Sequence, residues 1–212
     1  MKKIIDIANW NRREHFEYFA RFEEPFHGIV VNLDCTALYR RAKNQGDSFF
    51  LHYLHASLRA VNANTPFRYR LENDQVVEYA TIHTSTTITR ADHTYGFCPI
   101  QFQQDFQQFS TDARHTMQLV KQASGLCASA EEQLDVIHFS TLPWIQFTGL
   151  SHARFFKGKD SVPKISVGKC FQDGARLLMP MAIYVHHGLA DGYHVHAFID
   201  TLQAIFNEDT GT

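Results

Sequence analysis

The amino-acid sequence predicts one domain of mixed α/β type that spans residues 1–212. A chain of 212 residues, 44% of them hydrophobic, can bury a substantial core without dividing into two domains. Apolar and β-branched residues from 181 to 185 predict a buried strand. Apolar residues then recur at intervals of three and four between 194 and 207, which predicts an amphipathic helix. Both patterns occur elsewhere in the chain, and this mixture indicates the α/β class.

The remaining elements follow from the same two patterns, taken in chain order. A short helix is expected first, with Trp10, Phe16 and Phe19 on its apolar edge. Further helices are predicted at residues 35–43, 49–63 and 101–122. Strands are predicted at residues 28–34, 67–71, 76–79 and 81–89, at 136–147 with an interruption at Pro143, and at 162–171 and 174–180, which a turn joins.

Charge and composition argue against several classes of protein. The net charge is −2 and the Lys and Arg residues are scattered, so we expect no nucleic-acid partner. Residues 1–6 lack the apolar core of a signal peptide, and no apolar run approaches the length of a membrane span, so we expect no membrane partner. The four cysteines form no CxxC pair, which is typical of a reduced, cytoplasmic protein. There is neither a P-loop nor a GxGxxG motif, so a nucleotide held by a glycine-rich phosphate loop is not expected.

The strongest candidate for chemistry is the stretch His-His-Gly-Leu-Ala-Asp-Gly at residues 186–192, directly after the predicted strand. Imidazole is the side chain that accepts a proton most readily near neutral pH. Asp191 lies a few residues further on, close enough in a tight loop to orient an imidazole. Gly188 and Gly192 let the backbone turn sharply and approach a ligand. The sequence therefore predicts a catalytic loop between a strand and a helix.

Two other interpretations of these histidines remain open. The chain has 13 histidines, and a histidine beside a strand often serves only as a structural hydrogen-bonding residue. The second alternative interpretation is a metal site, because imidazole and carboxylate both bind zinc. Its candidate ligands are His186, His187, Asp191, His194 and His196. Neighbouring residues on a strand point to opposite faces, however, so His186 and His187 are not expected to share one ion, and we predict no metal.

Three segments together resemble the chloramphenicol acetyltransferase family. Residues 186–192 have its His-His-x-x-x-Asp-Gly form, which is shared with the wider group of coenzyme A-dependent acyltransferases of the same fold. Residues 10–16 are close to the N-terminal signature of the family, and residues 140–144 are similar to its Ser-x-x-Pro-Trp segment. Residues 193–196 and the last helix also look like the trimeric members. The resemblance implies a two-layer α/β sandwich with the coenzyme A-dependent acyltransferase fold.

The resemblance also implies a role for individual residues. The second motif histidine, His187, would be the general base; the sequence by itself does not say which of the two histidines faces the cavity. The roles implied for the other residues are an oxyanion hydrogen bond from Ser140, a salt bridge between Arg12 and Asp191, a water contact for Ser166 in the reaction centre, and a basic position near coenzyme A for Lys169.

The function implied is acetylation of chloramphenicol on its primary hydroxyl, with acetyl-CoA as co-substrate and no permanently bound cofactor. Such an enzyme confers antibiotic resistance. The family forms homotrimers with an active site at each interface, and 18 phenylalanines suggest either a large aromatic core or a buried subunit contact. A related acyltransferase with another hydroxyl or amine acceptor is one alternative, because residues 22–27 and those around Cys127 depart from the family pattern. A histidine-rich metal-binding module is the other.

Overall fold

A computed structural model describes residues 1–128, 133–154 and 160–208 of the chain. The strands in these residues are β1 (Lys2–Ile4), β2 (Phe26–Asp34), β3 (Tyr69–Glu72), β4 (Gln75–Tyr79), β5 (His83–Thr89), β6 (Tyr95–Ile100), β7 (Val136–Leu142), β8 (Lys164–Gly168), β9 (Phe171–Asp173) and β10 (Arg176–His186). The α-helices are α1 (Arg13–Phe19), α2 (Thr36–Asn44), α3 (Phe49–Ala63), α4 (Phe106–Gln122) and α5 (Gly192–Asn207). Short 3₁₀ turns cover Ile7–Asn9 and Thr65–Arg68.

The large mixed sheet is organised around β10. Its order is β2-β10-β8-β7-β5-β6, with β9 pairing beside the first part of β10, and β1, β4 and β3 form a separate small sheet. β10 is antiparallel to both of its main neighbours, whereas β8, β7 and β5 run parallel to one another. Strands on both sides therefore fix the backbone that leads into the histidine motif.

The helices cover one face of this sheet, which gives the molecule two layers. Alternate residues of β10, from Met179 to Val185, belong to the same buried core as residues of α2, α3, α4 and α5. Phe67 and Phe198 stack in this core with ring centroids 4.5 Å apart. The predicted mixed α/β sandwich is thus confirmed. Residues of the other parity, among them Ala182 and Tyr184, lie on the face turned away from the helices.

Several predicted boundaries shift for local physical reasons. The helix predicted from residue 101 begins at Phe106, because the Asp105 carboxylate caps it by accepting the Gln108 N–H at 2.8 Å. The strand predicted at 136–147 ends at Leu142, just before Pro143, which has no N–H to donate to the sheet. The first helix begins at Arg13, so that Trp10 precedes it.

The hairpin and the last strands also differ in detail from the prediction. The hairpin predicted from residue 67 starts at Tyr69, since the preceding residues form a 3₁₀ turn that contains Pro66. The predicted strand 162–171 divides into β8 and β9, because the Lys169 N–H donates to the Ile145 carbonyl instead of to β10. β6 was not predicted. No helix of the described residues combines the length and apolarity that a bilayer crossing requires.

Candidate active site

The two motif histidines have different environments. His186, the last residue of β10, is only 3% exposed, and its Nδ1 accepts the Gly188 N–H at 3.1 Å. Its ring packs edge-on against Phe26. Burial lowers the pKa of His186 to about 4, so its ring is neutral near neutral pH. These contacts give His186 an internal, structural position.

His187 is partly exposed and is held mainly by other rings. Its ring stacks on Phe19 with centroids 3.9 Å apart and planes 10° from parallel, and it also contacts the His27 ring at 4.4 Å. The His187 backbone N–H donates to the Pro25 carbonyl at 2.8 Å. Its Nδ1 is buried and has no hydrogen-bond partner among the described residues. Packing therefore fixes the plane of this imidazole while part of its surface remains open to solvent.

An ion pair braces the turn that follows His187. Arg12 Nη1 donates to Asp191 Oδ2 at 2.7 Å, and Nη2 donates to the His187 carbonyl at 3.3 Å. The predicted salt bridge between Arg12 and Asp191 is thus present. One guanidinium reaches both ends of the turn, because its donors form a rigid fork that a lysine lacks.

Asp191 also forms the N-terminal cap of α5. Its Oδ1 accepts the Tyr193 N–H at 3.0 Å and lies 2.8 Å from His194 Nδ1. Burial raises the pKa of Asp191, but the hydrogen bond from Arg12 and the charges of His194 and Arg12 outweigh it and lower the pKa to about 2. The carboxylate is consequently ionised at neutral pH.

Ser140 and Ser166 form a second group on the sheet face away from the helices. They are paired in the parallel register of β7 and β8, and their Oγ atoms are 2.5 Å apart. Ser166 is fully buried, whereas Ser140 is partly exposed. The Nε2 atom of His152 lies 3.4 Å from Ser166 Oγ. The three side chains form one hydrogen-bonded row.

The two groups are far apart within one chain. Ser166 is paired with Ala182 of β10, five residues before His187. At a rise of about 3.4 Å per residue, this places His187 roughly 17 Å from the Ser140–Ser166 pair along the strand. Lys169 is exposed just after β8 and lies still farther from His187, because β8 runs antiparallel to β10. The structure thus unites Arg12, Asp191 and His187, and separately the two serines, but does not join the groups.

Two site residues were missed by the sequence interpretation. His27 reaches His187 because the register of β2 against β10 pairs it with Val185. His152 reaches Ser166 from an irregular segment after β7. Neither residue belongs to a sequence motif, and the strand pairing that brings them to the site is visible only in the folded chain.

Metal binding finds no support in this geometry. No cluster of three or more His, Cys, Asp or Glu side chains suited to a metal ion occurs within residues 1–128, 133–154 and 160–208. Asp191 is occupied by Arg12 and His194, and His186 uses Nδ1 within its own turn. Three of the five candidate ligands, His186, Asp191 and His194, are therefore engaged in the structure of the turn.

Comparison with known proteins assigns the fold and the family. A family model described as chloramphenicol acetyltransferase matches residues 2–203, nearly the whole chain. The chain belongs to the chloramphenicol acetyltransferase family. The family assignment made from the sequence motifs is confirmed, and the Arg12–Asp191 pair and the His187 turn lie within the matched residues.

Individual relatives agree with this assignment. A chloramphenicol acetyltransferase of Klebsiella sp. is 27% identical over 209 residues, which cover 98% of this chain and 94% of the relative. A solved chloramphenicol acetyltransferase has a TM-score of 0.92 and 33% identity, covering 98% of this chain and all of the other. The solved structure of a dihydrolipoamide acetyltransferase of Azotobacter vinelandii has a TM-score of 0.64 and is 15% identical. The match covers 92% of this chain and 86% of that chain, which shows that the two share a fold.

Proposed function

We propose that this chain transfers the acetyl group of acetyl-CoA to the primary hydroxyl of chloramphenicol, with His187 as the general base, and so confers resistance to the antibiotic. The position of His187 carries the proposal: its partly exposed imidazole is held by Phe19 at the end of β10, in a chain of this family. His186 is a poor candidate, because it is buried and its Nδ1 already accepts a hydrogen bond.

The proposed reaction takes place in a complex of the enzyme with both substrates. His187 removes the hydroxyl proton while the hydroxyl oxygen bonds to the thioester carbonyl carbon, giving a tetrahedral intermediate with one negative oxygen. The Ser140 hydroxyl donates a hydrogen bond to this oxygen. The carbon–sulfur bond then breaks, and the sulfur takes the proton from His187. The products are coenzyme A and the acetyl ester, and no acyl-enzyme forms.

The other predicted residues support these two groups. Arg12 and Asp191 would hold the turn so that His187 keeps one orientation, without taking part in proton transfer. Ser166 would position Ser140 and bind a water in the reaction centre. Lys169, an exposed cation, would attract a phosphate of coenzyme A.

We further propose that the active site is formed between the chains of a homotrimer. A distance of roughly 17 Å between His187 and the serine pair is too long for both to act on one acetyl group within a chain. A neighbouring chain that presents Ser140 to His187 would remove this difficulty, and cyclic symmetry would repeat the contact three times. Large apolar side chains available for such a contact include Trp144, which is 70% exposed, and Ile145, which is 50% exposed.

The direct test is release of coenzyme A from acetyl-CoA, measured with a thiol reagent in the presence and absence of chloramphenicol. We expect release that depends on chloramphenicol, together with an acetylated product in the mass spectrum. A panel of other hydroxyl and amine compounds tests the alternative of a related acyltransferase. Release with one of these and none with chloramphenicol would replace the acceptor, and no release with any acceptor would contradict the proposed function.

Assembly is tested separately by sedimentation. The trimer predicts a mass three times the 24.4 kDa of the chain at micromolar protein concentration. A stable monomer with full activity would contradict the proposed interface. The mass, unlike the activity, does not depend on the identity of the acceptor.

A further inference from the structure

His152 extends the Ser140–Ser166 pair by one hydrogen bond. Its Nε2 lies 3.4 Å from Ser166 Oγ, and Ser166 Oγ lies 2.5 Å from Ser140 Oγ. The serine pair is at the short end of the usual range for O–H···O, whereas the His152 contact is longer than a typical N–H···O hydrogen bond and correspondingly weak. The row therefore runs from an imidazole, through a fully buried hydroxyl, to the partly exposed hydroxyl that is the proposed oxyanion donor.

The segment that carries His152 is anchored to β10. The Tyr184 hydroxyl donates to the Leu150 carbonyl, and the Tyr184 ring meets the His152 ring edge-on, with centroids 5.0 Å apart and planes 86° apart. Tyr184 lies two residues after Ala182, the partner of Ser166, on the same face of the sheet. The contact between His152 and Ser166 thus results from packing on a rigid strand.

A row of this kind can be polarised in two directions. Each serine hydroxyl has one proton and two lone pairs, and each nitrogen of a neutral imidazole either donates or accepts. If Nε2 accepts, Ser166 donates to His152 and Ser140 donates to Ser166, so the Ser140 proton is no longer available to substrate. If Nε2 donates, Ser166 accepts from it and donates to Ser140, and the Ser140 proton remains free. Only the second direction lets Ser140 stabilise an oxyanion.

The protonation of His152 is compatible with the second direction. Burial, and to a smaller extent the positive charge of Lys164, lower the pKa of His152, so that its ring is neutral at neutral pH and carries one proton. That proton can reside on Nε2. Successive hydrogen bonds in a row polarise one another, so a donor at the far end strengthens the last hydroxyl as a donor.

We propose that His152 is a positioning residue that donates from Nε2 to Ser166, so that Ser166 donates to Ser140 and the Ser140 hydroxyl is directed to the reacting thioester oxygen. This inference rests on the proposed function, because it assigns a role within the same site. His152 acts through the two serines and does not itself contact the acetyl group.

The first test compares His152→Leu, which has no donor, with His152→Gln, whose side-chain amide can still donate. We expect His152→Leu to lower kcat on the order of 10-fold. This is less than the roughly 10²–10³-fold loss of kcat that follows removal of an oxyanion donor itself, because Ser140 is still present. The KM of both substrates should change less than about 2-fold. His152→Gln should recover most of kcat. Equal losses in the two variants, or a loss confined to KM, would overturn the proposal.

A double-mutant cycle separates positioning from general damage to the fold. If His152 acts through Ser166, adding His152→Leu to Ser166→Ala should change kcat little, whereas independent effects would multiply. Multiplied losses would overturn the proposal. The proposal would also be overturned if His152→Leu had the same kcat as an active wild type, and the proposed function would then remain intact. A wild type that acetylates no acceptor would remove the proposed function, and this inference with it.

A second measurement is made on the wild-type protein, and a variant serves only to assign the signal. Nitrogen NMR of the imidazoles in the wild-type protein distinguishes the two neutral tautomers, with His152→Gln serving to assign the signal. The proposal requires the proton of His152 on Nε2. A proton on Nδ1 only would reverse the row and overturn it.

Discussion

His187 and the Ser140–Ser166 pair are held in place by different kinds of interaction. The His187 turn depends on contacts between distant parts of the sequence, since Arg12 and Asp191 are 179 residues apart. The serines are aligned by the backbone register of two adjacent parallel strands. The imidazole is therefore sensitive to substitutions far along the chain, whereas the serines are sensitive mainly to their immediate neighbours. We therefore expect different responses when each group is altered.

The largest effect is expected for His187→Ala. Loss of the proposed base should lower kcat by roughly 10²–10⁴-fold, while the thermal unfolding midpoint changes little, because the ring is partly exposed. Thiol release and a melting curve measure the two quantities. His196→Ala is the matched control, since His196 lies on the exposed surface of α5, where its Nε2 is 3.3 Å from Asp200 Oδ2. Retained turnover in His187→Ala would remove the assignment of the base.

Ser140→Ala is expected to have the next largest effect. Loss of one oxyanion donor costs about 10²–10³ in kcat, and the KM for acetyl-CoA should change much less. Initial rates over a range of both substrates separate the two constants. Ser124→Ala, at an exposed serine, should leave both unchanged. A Ser140→Ala enzyme with normal kcat would show that another group stabilises the oxyanion.

Much of the scaffold could be predicted from the sequence where one local pattern determines an element. The helix predicted at residues 49–63 has those bounds in the structure, because its apolar spacing is regular and Ser48 Oγ accepts the Leu51 N–H at 3.5 Å. The start of α4 was predicted too early, since apolar spacing does not locate a cap. The order of the strands in the sheet could not be predicted from these local patterns.

The candidate site could be predicted only where a continuous motif carries it. Residues 186–192 pointed to the two histidines and to Asp191, whereas the choice of His187 and the role of Arg12 came from the resemblance to the family. His27 and His152 could not be found in this way, because strand pairing and packing on Tyr184 bring them to the site. Local sequence does not encode such contacts in a recognisable spacing.

Arg12→Lys should have an intermediate effect. Lysine keeps the charge but cannot hold Asp191 and the His187 carbonyl with one planar group, so we expect kcat to fall on the order of 10-fold. Arg13→Lys is the matched control, because the Arg13 side chain is exposed and pairs with Glu17 at the surface. Steady-state rates test both. Equal activities would show that charge alone braces the turn.

The smallest effect is expected in the pH dependence of stability. The folded-state pKa of Asp191, about 2, lies below its ordinary value of 3.8, so its ionised form stabilises the fold above pH 4 and this contribution is lost as the pH falls toward 2. Because the carboxylate is partly exposed and solvent screens its interactions, the contribution is at most about 2 kcal/mol. Urea unfolding of wild type and Asp191→Asn should therefore differ at pH 5 and converge near pH 2. Asp200→Asn, at an exposed carboxylate, should match wild type, and a constant difference for Asp191→Asn would contradict the prediction.

We propose that His187 of one chain and Ser140 of its neighbour form one active site. Unfolding His187→Ala and Ser140→Ala chains together in equal amounts and refolding them tests it most directly. In a cyclic trimer every mixed assembly contains one complete site, so random mixing should restore about one quarter of wild-type activity, although each variant alone is nearly inactive. If both residues act within the same chain, no mixture contains a complete site. Activity that remains at the level of the separate variants, in trimers shown by mass to be mixed, would contradict the claim.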